Sequence, residues 1–371
     1  MSQRSPLRAG VVVEQLWQPV PGGSGVYIHE LLTELASGDA DVAVTGIAAR
    51  HAEPPPGDPL PSGLAVRHAG LPRTVLYEAW QRLGHPRAEA VAGPLDVVHA
   101  TTWAVPPTRR PLVVTVHDLA FLHDASHFTR RGNAWFRTAL ERTRRHADAV
   151  IVPSRATADD CLAVGLPAAL VHVVPHGSRP LTRTADQVAE LRTRAGLARP
   201  YLLWCGTIEP RKNLPVLLEA FARVAGRRPE LDLVLVGPAG WGEVPVHPAG
   251  LDPARVRVLG RLSRDDLHSA YAGAAAFCYP SLREGFGLPV LEALQHGLPV
   301  VTSRGTACEE VAGGAALLAD PTSPAELADA LLGATGDAAA DLRRRAAVRA
   351  AEFSWRLAAD RTAEVYRSVA G

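Results

Sequence analysis

The sequence predicts an α/β protein made of two doubly wound, parallel-sheet domains with a cleft between them. Three observations carry this. The chain has 371 residues, the length of about two domains at roughly 100–200 residues each. Short, continuous apolar runs alternate with helical patterns, as expected for parallel strands covered on both faces. The two halves are also built alike, each opening on a strand, a glycine-containing turn and a helix. In such sheets ligands bind at the carboxyl ends of the strands.

In the first half the strand-like runs are 10–13, 42–45, 96–99, 112–116 and 149–152, with helical patterns over 26–36, 135–146 and 157–164. The Pro-rich stretch 52–63 reads as a surface loop. After 171–177 a second series begins, with strands over 201–205, 233–236, 256–259, 276–279 and 299–302. Helices are expected over 214–225, 265–272, 289–296 and 323–332, the last with Ser323 as N-cap. A final amphipathic helix over 353–369 either caps the second domain or crosses back to the first.

Composition bounds the function. With 47% hydrophobic and 21% charged residues the chain is globular, and a formal charge of +1 offers no electrostatic footprint for nucleic acid. No apolar run approaches the roughly 18 residues of a membrane span, and the first ten residues lack a signal-peptide core. A cytoplasmic protein is expected. Cys161, Cys205, Cys278 and Cys308 show no metal-ligand spacing and read as buried thiols. The chain contains 38 arginines but one lysine, Lys212, and two asparagines, Asn133 and Asn213. A lone Lys beside one of two Asn marks a place where a compact point charge is needed and a planar fork does not serve.

The strongest motif is Ser281-Leu282-Arg283-Glu284-Gly285-Phe286-Gly287-Leu288-Pro289-Val290-Leu291-Glu292. A strand ends before it, and Pro289 opens a helix where its missing N–H is not needed. The unpaired amides of that helix start suit a phosphate or a sugar edge. Glu284 and Glu292 flank it as acceptor-only groups suited to hydroxyls, one for a sugar and the other for a ribose. The second motif is Gly206-Thr207-Ile208-Glu209-Pro210-Arg211-Lys212-Asn213. Two cations before a helix oppose its dipole, a conflict that a bound diphosphate would relieve. The third, Pro21-Gly22-Gly23-Ser24-Gly25, is a turn whose glycines let amides approach phosphate. Val116-His117-Asp118 ends a strong strand at the cleft end. His99 ends the strand before it and reads as structural. No Asp-x-Asp, H-E-x-x-H, G-x-S-x-G or P-loop pattern is present. The arginines from Arg130 to Arg145 fit an anionic acceptor or the inner face of a membrane, while Arg142 to His146 read best as a solvated helix face.

Carried on these motifs, the chain resembles the retaining GT-B glycosyltransferases of family 4, including their mannosyltransferase-like group 1 members. The resemblance is densest from Tyr201 to Pro321. It implies two Rossmann-like domains, 1–178 on the acceptor side and 179–355 for the donor, with the helix over 356–371 packing back on the first. It implies transfer of a hexose from a nucleotide diphosphate sugar, with GDP-mannose favoured, and neither cofactor nor metal. Arg211 and Lys212 would grip the diphosphate next to Gly206. Glu284 and the amides of Phe286, Gly287 and Leu288 would contact sugar and phosphate, and Glu292 the ribose. Gly23, Ser24 and Gly25 would approach the diphosphate or acceptor, His117 would touch the sugar, and Gly260-Arg261-Leu262 would form the edge against the base. Two departures stand out: Thr207 where many relatives carry Arg, and Ala307-Cys308-Glu309-Glu310-Val311 where a Pro usually precedes the Glu-Val. The alternatives are a UDP- or dTDP-sugar transferase acting on a secondary metabolite or a lipid-linked acceptor, and a non-catalytic sugar-nucleotide-binding protein. A glycan, a lipid-linked sugar and a small molecule all remain open as acceptor. The loops 17–24, 103–110 and 121–135 are expected to shape its site.

Overall fold

In the computed structural model the described residues are 5–37, 40–57, 59–123, 129–179, 181–240, 248 and 250–371. The chain divides into two compact units, Met1–Gly177 with Ser354–Gly371, and Ser178–Phe353. Within the expected loop 121–135, residues 124–128 lie outside the described set, as do residues 1–4 of the N-terminal stretch and residue 58 of the Pro-rich loop.

The first unit holds β1 (Leu7–Val12), β2 (Val42–Ala48), β3 (Ala65–His68), β4 (Val97–Ala100), β5 (Leu112–Thr115), β6 (Ala149–Val152) and β7 (Val171–Val173). They pair in parallel in the order β3-β2-β1-β4-β5-β6-β7. The second unit holds β8 (Tyr201–Cys205), β9 (Asp232–Val236), β10 (Val256–Gly260), β11 (Ala276–Tyr279), β12 (Val300–Ser303) and β13 (Ala316–Ala319), in the order β10-β9-β8-β11-β12-β13. Each order reverses once, between β1 and β4 and between β8 and β11, so each sheet has a switch point where ligand sites form. The central strands β4, β5, β6, β8, β9, β11 and β12 are buried along their whole length. That is why they read as unbroken apolar runs.

Where sequence and structure differ, the differences have physical causes. β3 and β13 are edge strands: β3 is largely exposed and ends on Arg67 and His68, and β13, though apolar, is built only of Ala and Leu, which favour helix over strand. The first helix begins at Gly22 rather than Val26: Pro21 supplies its N-cap position, and Gly25 N–H donates to Pro21 O at 3.1 Å. The glycines read as a preceding turn are thus its first helical turn. Thr129 caps a helix running Arg130–His146, longer than the pattern over 135–146. Ser323 caps Pro324–Ala334 through the Glu326 amide at 3.2 Å.

The last helix, Trp355–Ala370, lies in the first unit. A buried polar chain holds it there. His99 shares hydrogen bonds with Tyr366 OH through Nδ1 and with Thr115 Oγ1 through Nε2, both at 2.7 Å, and Tyr27 OH meets Thr115 Oγ1 at 3.0 Å. His99 and Tyr366 are fully buried. Burial drives the His99 pKa down to about 3, with His117 nearby adding to the effect. The ring is therefore neutral, one nitrogen donating and the other accepting. Where the chain passes between units, a Cβ on Gly177 would lie 2.1 Å from Trp355 N, so only glycine admits the two crossing backbones. Replacing Tyr366 with Phe leaves His99 Nδ1 buried without a partner. The expected loss is about 1–3 kcal/mol of stability, read as a lowered denaturation midpoint. An unchanged midpoint would mean that apolar packing alone holds the helix.

Candidate donor-binding site

The site grows from the switch point of the second sheet. β8 ends at Cys205, and the chain turns through Gly206 into a short 3-10 turn, Pro210–Lys212. Asn213 follows with φ +60, a left-handed conformation that Asn tolerates better than most residues. Its amide donates to Pro280 O at 3.1 Å and to Pro321 O at 2.6 Å, tying this turn to the loop after β11. A backbone bond from Leu282 N to Arg211 O at 2.9 Å ties the same two loops again. The motifs after β8 and β11 are thereby held side by side.

Between those loops lies a buried cluster of charge. Lys212 Nζ donates to Glu284 Oε1 and to Tyr279 OH, each at 2.6 Å. Arg211 Nη1 lies 2.8 Å from Glu284 Oε2, and Nη2 donates to Glu209 Oε1 at 2.6 Å. Arg211 Nη1 also donates to Arg283 O at 2.8 Å. Lys212 is only 7% exposed. Its ammonium also lies 5.0 Å from the centre of the Tyr279 ring. Burial alone would raise the Glu284 pKa, but Arg211 and Lys212 overcome it and bring the group down to about 2. Glu284 is therefore a firm carboxylate and a poor base. This corrects the sequence reading of the basic pair: Glu284 and Glu209 already answer Arg211 and Lys212 within the protein. An ammonium has three donors, and two on Lys212 are engaged. The third has no hydrogen-bond partner among the described residues.

The helix Leu288–Gln295 opens beside the cluster on Gly287, whose φ is +95. A side chain there is excluded twice, by that backbone conformation and by Cys308 Sγ, which a Cβ would meet at 2.6 Å. This helix start offers fewer amides than a bare one. Pro289 has no N–H, and Val290 and Leu291 donate back to Gly287 O at 2.9 and 3.3 Å. Among the described residues the Gly287 and Leu288 amides have no backbone acceptor. Phe286 is buried, with its ring edge-on to Phe353 at 5.9 Å.

Glu292 stands in the second turn of that helix and accepts from Tyr271 OH at 3.0 Å. Burial raises its pKa to about 7, against the lowering effect of the Tyr271 hydroxyl. The two glutamates thus differ sharply, one locked as an anion and the other poised near neutrality. Tyr271 is braced by His296, stacked at 5.5 Å and 11°, and His296 Nε2 bonds His268 Nδ1 at 2.8 Å. Gly260 closes β10 with φ +69 and accepts from Gly237 N–H at 2.8 Å. Gly237 in turn approaches Gly206 O so closely that a Cβ would lie 1.9 Å from it. Gly206, Gly237 and Gly260 therefore line up along the ends of three neighbouring strands. Arg261 is exposed and Leu262 half-buried beyond them.

In the first unit, Gly23 is exposed, Ser24 half-buried and Gly25 buried at the helix start after β1. Gly25 is needed for packing, since a Cβ would meet Pro21 Cβ at 2.3 Å. His117 follows β5, and its Nε2 lies 3.0 Å from Thr101 O. A carbonyl can only accept, so Nε2 carries the proton and Nδ1 presents a lone pair. Burial lowers the His117 pKa. The ring packs edge-on to Tyr27 at 5.0 Å and near His176 at 5.6 Å. Asp118 serves as a local cap, accepting from Ala120 N at 3.1 Å.

The structure therefore gathers Gly206, Arg211, Lys212, Glu284, Gly287 and Leu288 at one switch point, with Glu292 on the adjoining helix. Sequence reasoning missed Tyr279, Tyr271 and the retained role of Asn213. The signal available was position: Tyr279 closes the strand that leads into the glutamate loop.

Comparison with known proteins agrees with this arrangement. The Glycosyltransferase Family 4 model matches residues 21–179, and the Glycosyl transferases group 1 model matches residues 199–337. The chain is 30% identical to the MMP alpha-(1->4)-mannosyltransferase of Mycolicibacterium hassiacum, over 93% of this chain and 94% of that protein. It is 29% identical to O-antigen chain mannosyltransferase B of Escherichia coli, over 79% and 80%. It is 31% identical to the D-inositol 3-phosphate glycosyltransferase of Streptomyces avermitilis, over 93% and 82%. Among solved structures, Anabaena HepE in complex with UDP and glucose superposes with a TM-score of 0.74 at 20% identity, over 98% of this chain and 100% of that one. Sucrose-phosphate synthase from Thermosynechococcus elongatus gives 0.75 at 20% identity, over 98% of each. The chain belongs to the family 4, group 1 glycosyltransferases and has the GT-B fold.

Proposed function

We propose that the protein is a retaining, metal-independent hexosyltransferase that moves mannose from GDP-mannose to an acceptor hydroxyl. The observation that carries this reading is the cluster of Arg211, Lys212 and Glu284 beside the Gly287 and Leu288 amides. It offers cationic and amide donors to a diphosphate, and a fixed carboxylate to a sugar hydroxyl. Mannose is favoured because the relatives from Escherichia coli and Mycolicibacterium hassiacum are named mannosyltransferases. The acceptor is a glycan, a lipid-linked sugar or a small molecule, and the reaction is assigned to the cytoplasm.

In this mechanism the bond from the sugar's anomeric carbon to the diphosphate oxygen breaks, and the acceptor oxygen bonds to that carbon on the same face. The acceptor's proton passes to the departing phosphate. Glu284 does not take it, because a carboxylate held at a pKa of about 2 between two cations is too weak a base. The remaining Lys212 N–H, Arg211 and the two amides meet the charge growing on the diphosphate, the part a metal plays elsewhere. Glu292 accepts the ribose hydroxyls. The base rests along Gly260, Arg261 and Leu262. His117 Nδ1 accepts a hydrogen bond from a hydroxyl of the sugar. Gly23, Ser24 and Gly25 present the start of their helix to the diphosphate or the acceptor.

Calorimetry with GDP, UDP and dTDP in chelator-treated buffer tests the donor site directly. Preferential GDP binding is expected; preference for UDP or dTDP would replace mannose-GDP with another donor, and no nucleotide binding to folded protein would end the reading. Lys212→Ala should remove about 2–4 kcal/mol of transition-state stabilisation, a fall of roughly 30–1,000-fold in kcat/KM. Activity within a few-fold of the parent would count against the role given to Lys212.

Glu292 adds a pH signature. Ribose hydroxyls donate to a carboxylate, so binding selects the ionised form, and a group with its pKa raised to about 7 is largely protonated below that pH. Nucleotide affinity should therefore strengthen from pH 6 to pH 8 and stay flat in Glu292→Gln. A parental profile that is equally flat would show that Glu292 does not hold the ribose.

A further inference from the structure

The Gly287 and Leu288 amides stand on a turn with two walls, and one side chain outside the site holds both. The first wall is the helix Ala307–Ala312, whose Cys308 Sγ would lie 2.6 Å from a Cβ on Gly287. The second is Phe286, the residue before Gly287, which is buried edge-on against Phe353. The helix Leu288–Gln295, which begins at this turn, packs on Ala307–Ala312 and on the helix Ala339–Ala350.

Neither wall is fixed by itself. A helix of six residues is less than two turns long and does not sustain itself in water, so its position is set at its ends. At its start Thr306 Oγ1 accepts from Cys308 N at 3.3 Å, and Glu309 Oε2 accepts from Gly305 N at 2.6 Å. The last carbonyls of a helix have no partner within it. Here Arg349 supplies one: its Nη2 donates to Glu310 O at 2.7 Å and its Nε to Val311 O at 2.9 Å. The fit is close. Gly313 ends the helix with φ +52, and a Cβ on it would lie 2.6 Å from Arg349 Cζ, so glycine both turns the chain and makes room for the guanidinium.

The Phe286 wall depends on the same residue. Arg349 Cζ stands 4.7 Å from the centre of the half-buried Phe353 ring, and that ring meets Phe286 at 5.9 Å and 74°. Arg349 Nη1 pairs with Glu352, one residue before Phe353. A guanidinium combines a fork of donors with a face that interacts with rings, a combination an ammonium lacks.

We propose that Arg349 is a positioning residue for the Gly287 and Leu288 amides: it clamps the Cys308 helix through two carbonyls and the Phe286 ring through Phe353, and so fixes the turn that receives the diphosphate. This rests on the donor reading above. Arg349 acts through these neighbours and is given no contact with the donor.

The test uses the full-length protein, with Cys308 as a reporter within the clamp. Alkylation by N-ethylmaleimide is followed at each cysteine by mass spectrometry. GDP binding is measured by calorimetry and guanosine binding by ligand-observed NMR, for the parent, Arg349→Met, Arg349→Lys and Phe353→Leu. UDP and uridine replace them if the parent prefers uridine nucleotides. In Arg349→Met, Cys308 alkylation should rise about tenfold relative to Cys278, which is fully buried in β11. GDP affinity should fall about tenfold or more, the scale of one hydrogen bond to a charged group. Guanosine binding should stay at the parental level, because guanosine has no phosphate for the amides to meet. Arg349→Lys should recover part of both effects. Phe353→Leu disturbs only the ring wall, and should weaken GDP binding while leaving Cys308 alkylation unchanged. Alkylation rising equally at Cys308 and Cys278, or GDP and guanosine weakening in parallel, would mean that Arg349 merely stabilises the unit, and would overturn the proposal. So would parental GDP affinity in both Arg349→Met and Phe353→Leu. If Arg349→Met does not fold, Phe353→Leu decides through the ratio of GDP to guanosine affinity. A parent that binds no nucleotide ends the donor reading and the amide role with it, whereas nucleotide binding that is indifferent to Arg349 ends only this inference.

Discussion

The second unit depends on a buried arrangement of charge in which Glu284 sits between Lys212 and Arg211. Taking three charges out of water is unfavourable, and it is tolerated here because each has a close, well-aligned partner. The arrangement explains why one lysine survives in a chain otherwise supplied with arginine. The space between Tyr279 OH and Glu284 admits an ammonium at 2.6 Å from each oxygen. A guanidinium is wider and planar, and would need a different pocket. The same arrangement requires the loops after β8 and β11 to stay in register, which is the work of Asn213 and of the backbone bond from Leu282 to Arg211.

From this follow the opposed characters of the two glutamates. Both lie on one short loop-and-helix segment, and both are half-buried. Glu284 faces two cations and remains ionised, whereas Glu292 faces a tyrosine hydroxyl and is left near neutrality by burial. Environment rather than residue type divides the labour, as it does wherever two carboxyl groups in one site take different roles. The first unit does the same with histidine. His99 is a neutral structural link between the last helix and the sheet, while His117 has its tautomer set by Thr101 O and keeps an unshared nitrogen lone pair.

Much of this was legible in the residues. The apolar runs, the glycine after β8, and Pro289 after the glutamate loop placed most strands, the turn after β8 and the order of the motifs. Edge strands β3 and β13 were not legible, because β3 is short and largely exposed, and β13 consists of Ala and Leu, whose local preference is for helix. The two asparagines were visible as exceptions, but not for what they do. Asn133 donates to Phe121 O at 2.7 Å and accepts from Arg137 Nε at 2.8 Å, and Asn213 satisfies two carbonyls from a left-handed backbone.

By itself the sequence determined most of the central strands and several of the helices, and which chemical groups stand at the strand ends, because hydrophobic period and turn chemistry act over a few residues. Only the tertiary structure decided which groups meet. Lys212 and Glu284 are 72 residues apart, and His99 and Tyr366 are 267 apart. It also decided that Arg142 leaves the solvated face for an aromatic crevice while Arg144 and Arg145 stay on it. Charge pairing, desolvation and tautomer choice depend on distances across the fold, and no local pattern in the chain encodes them.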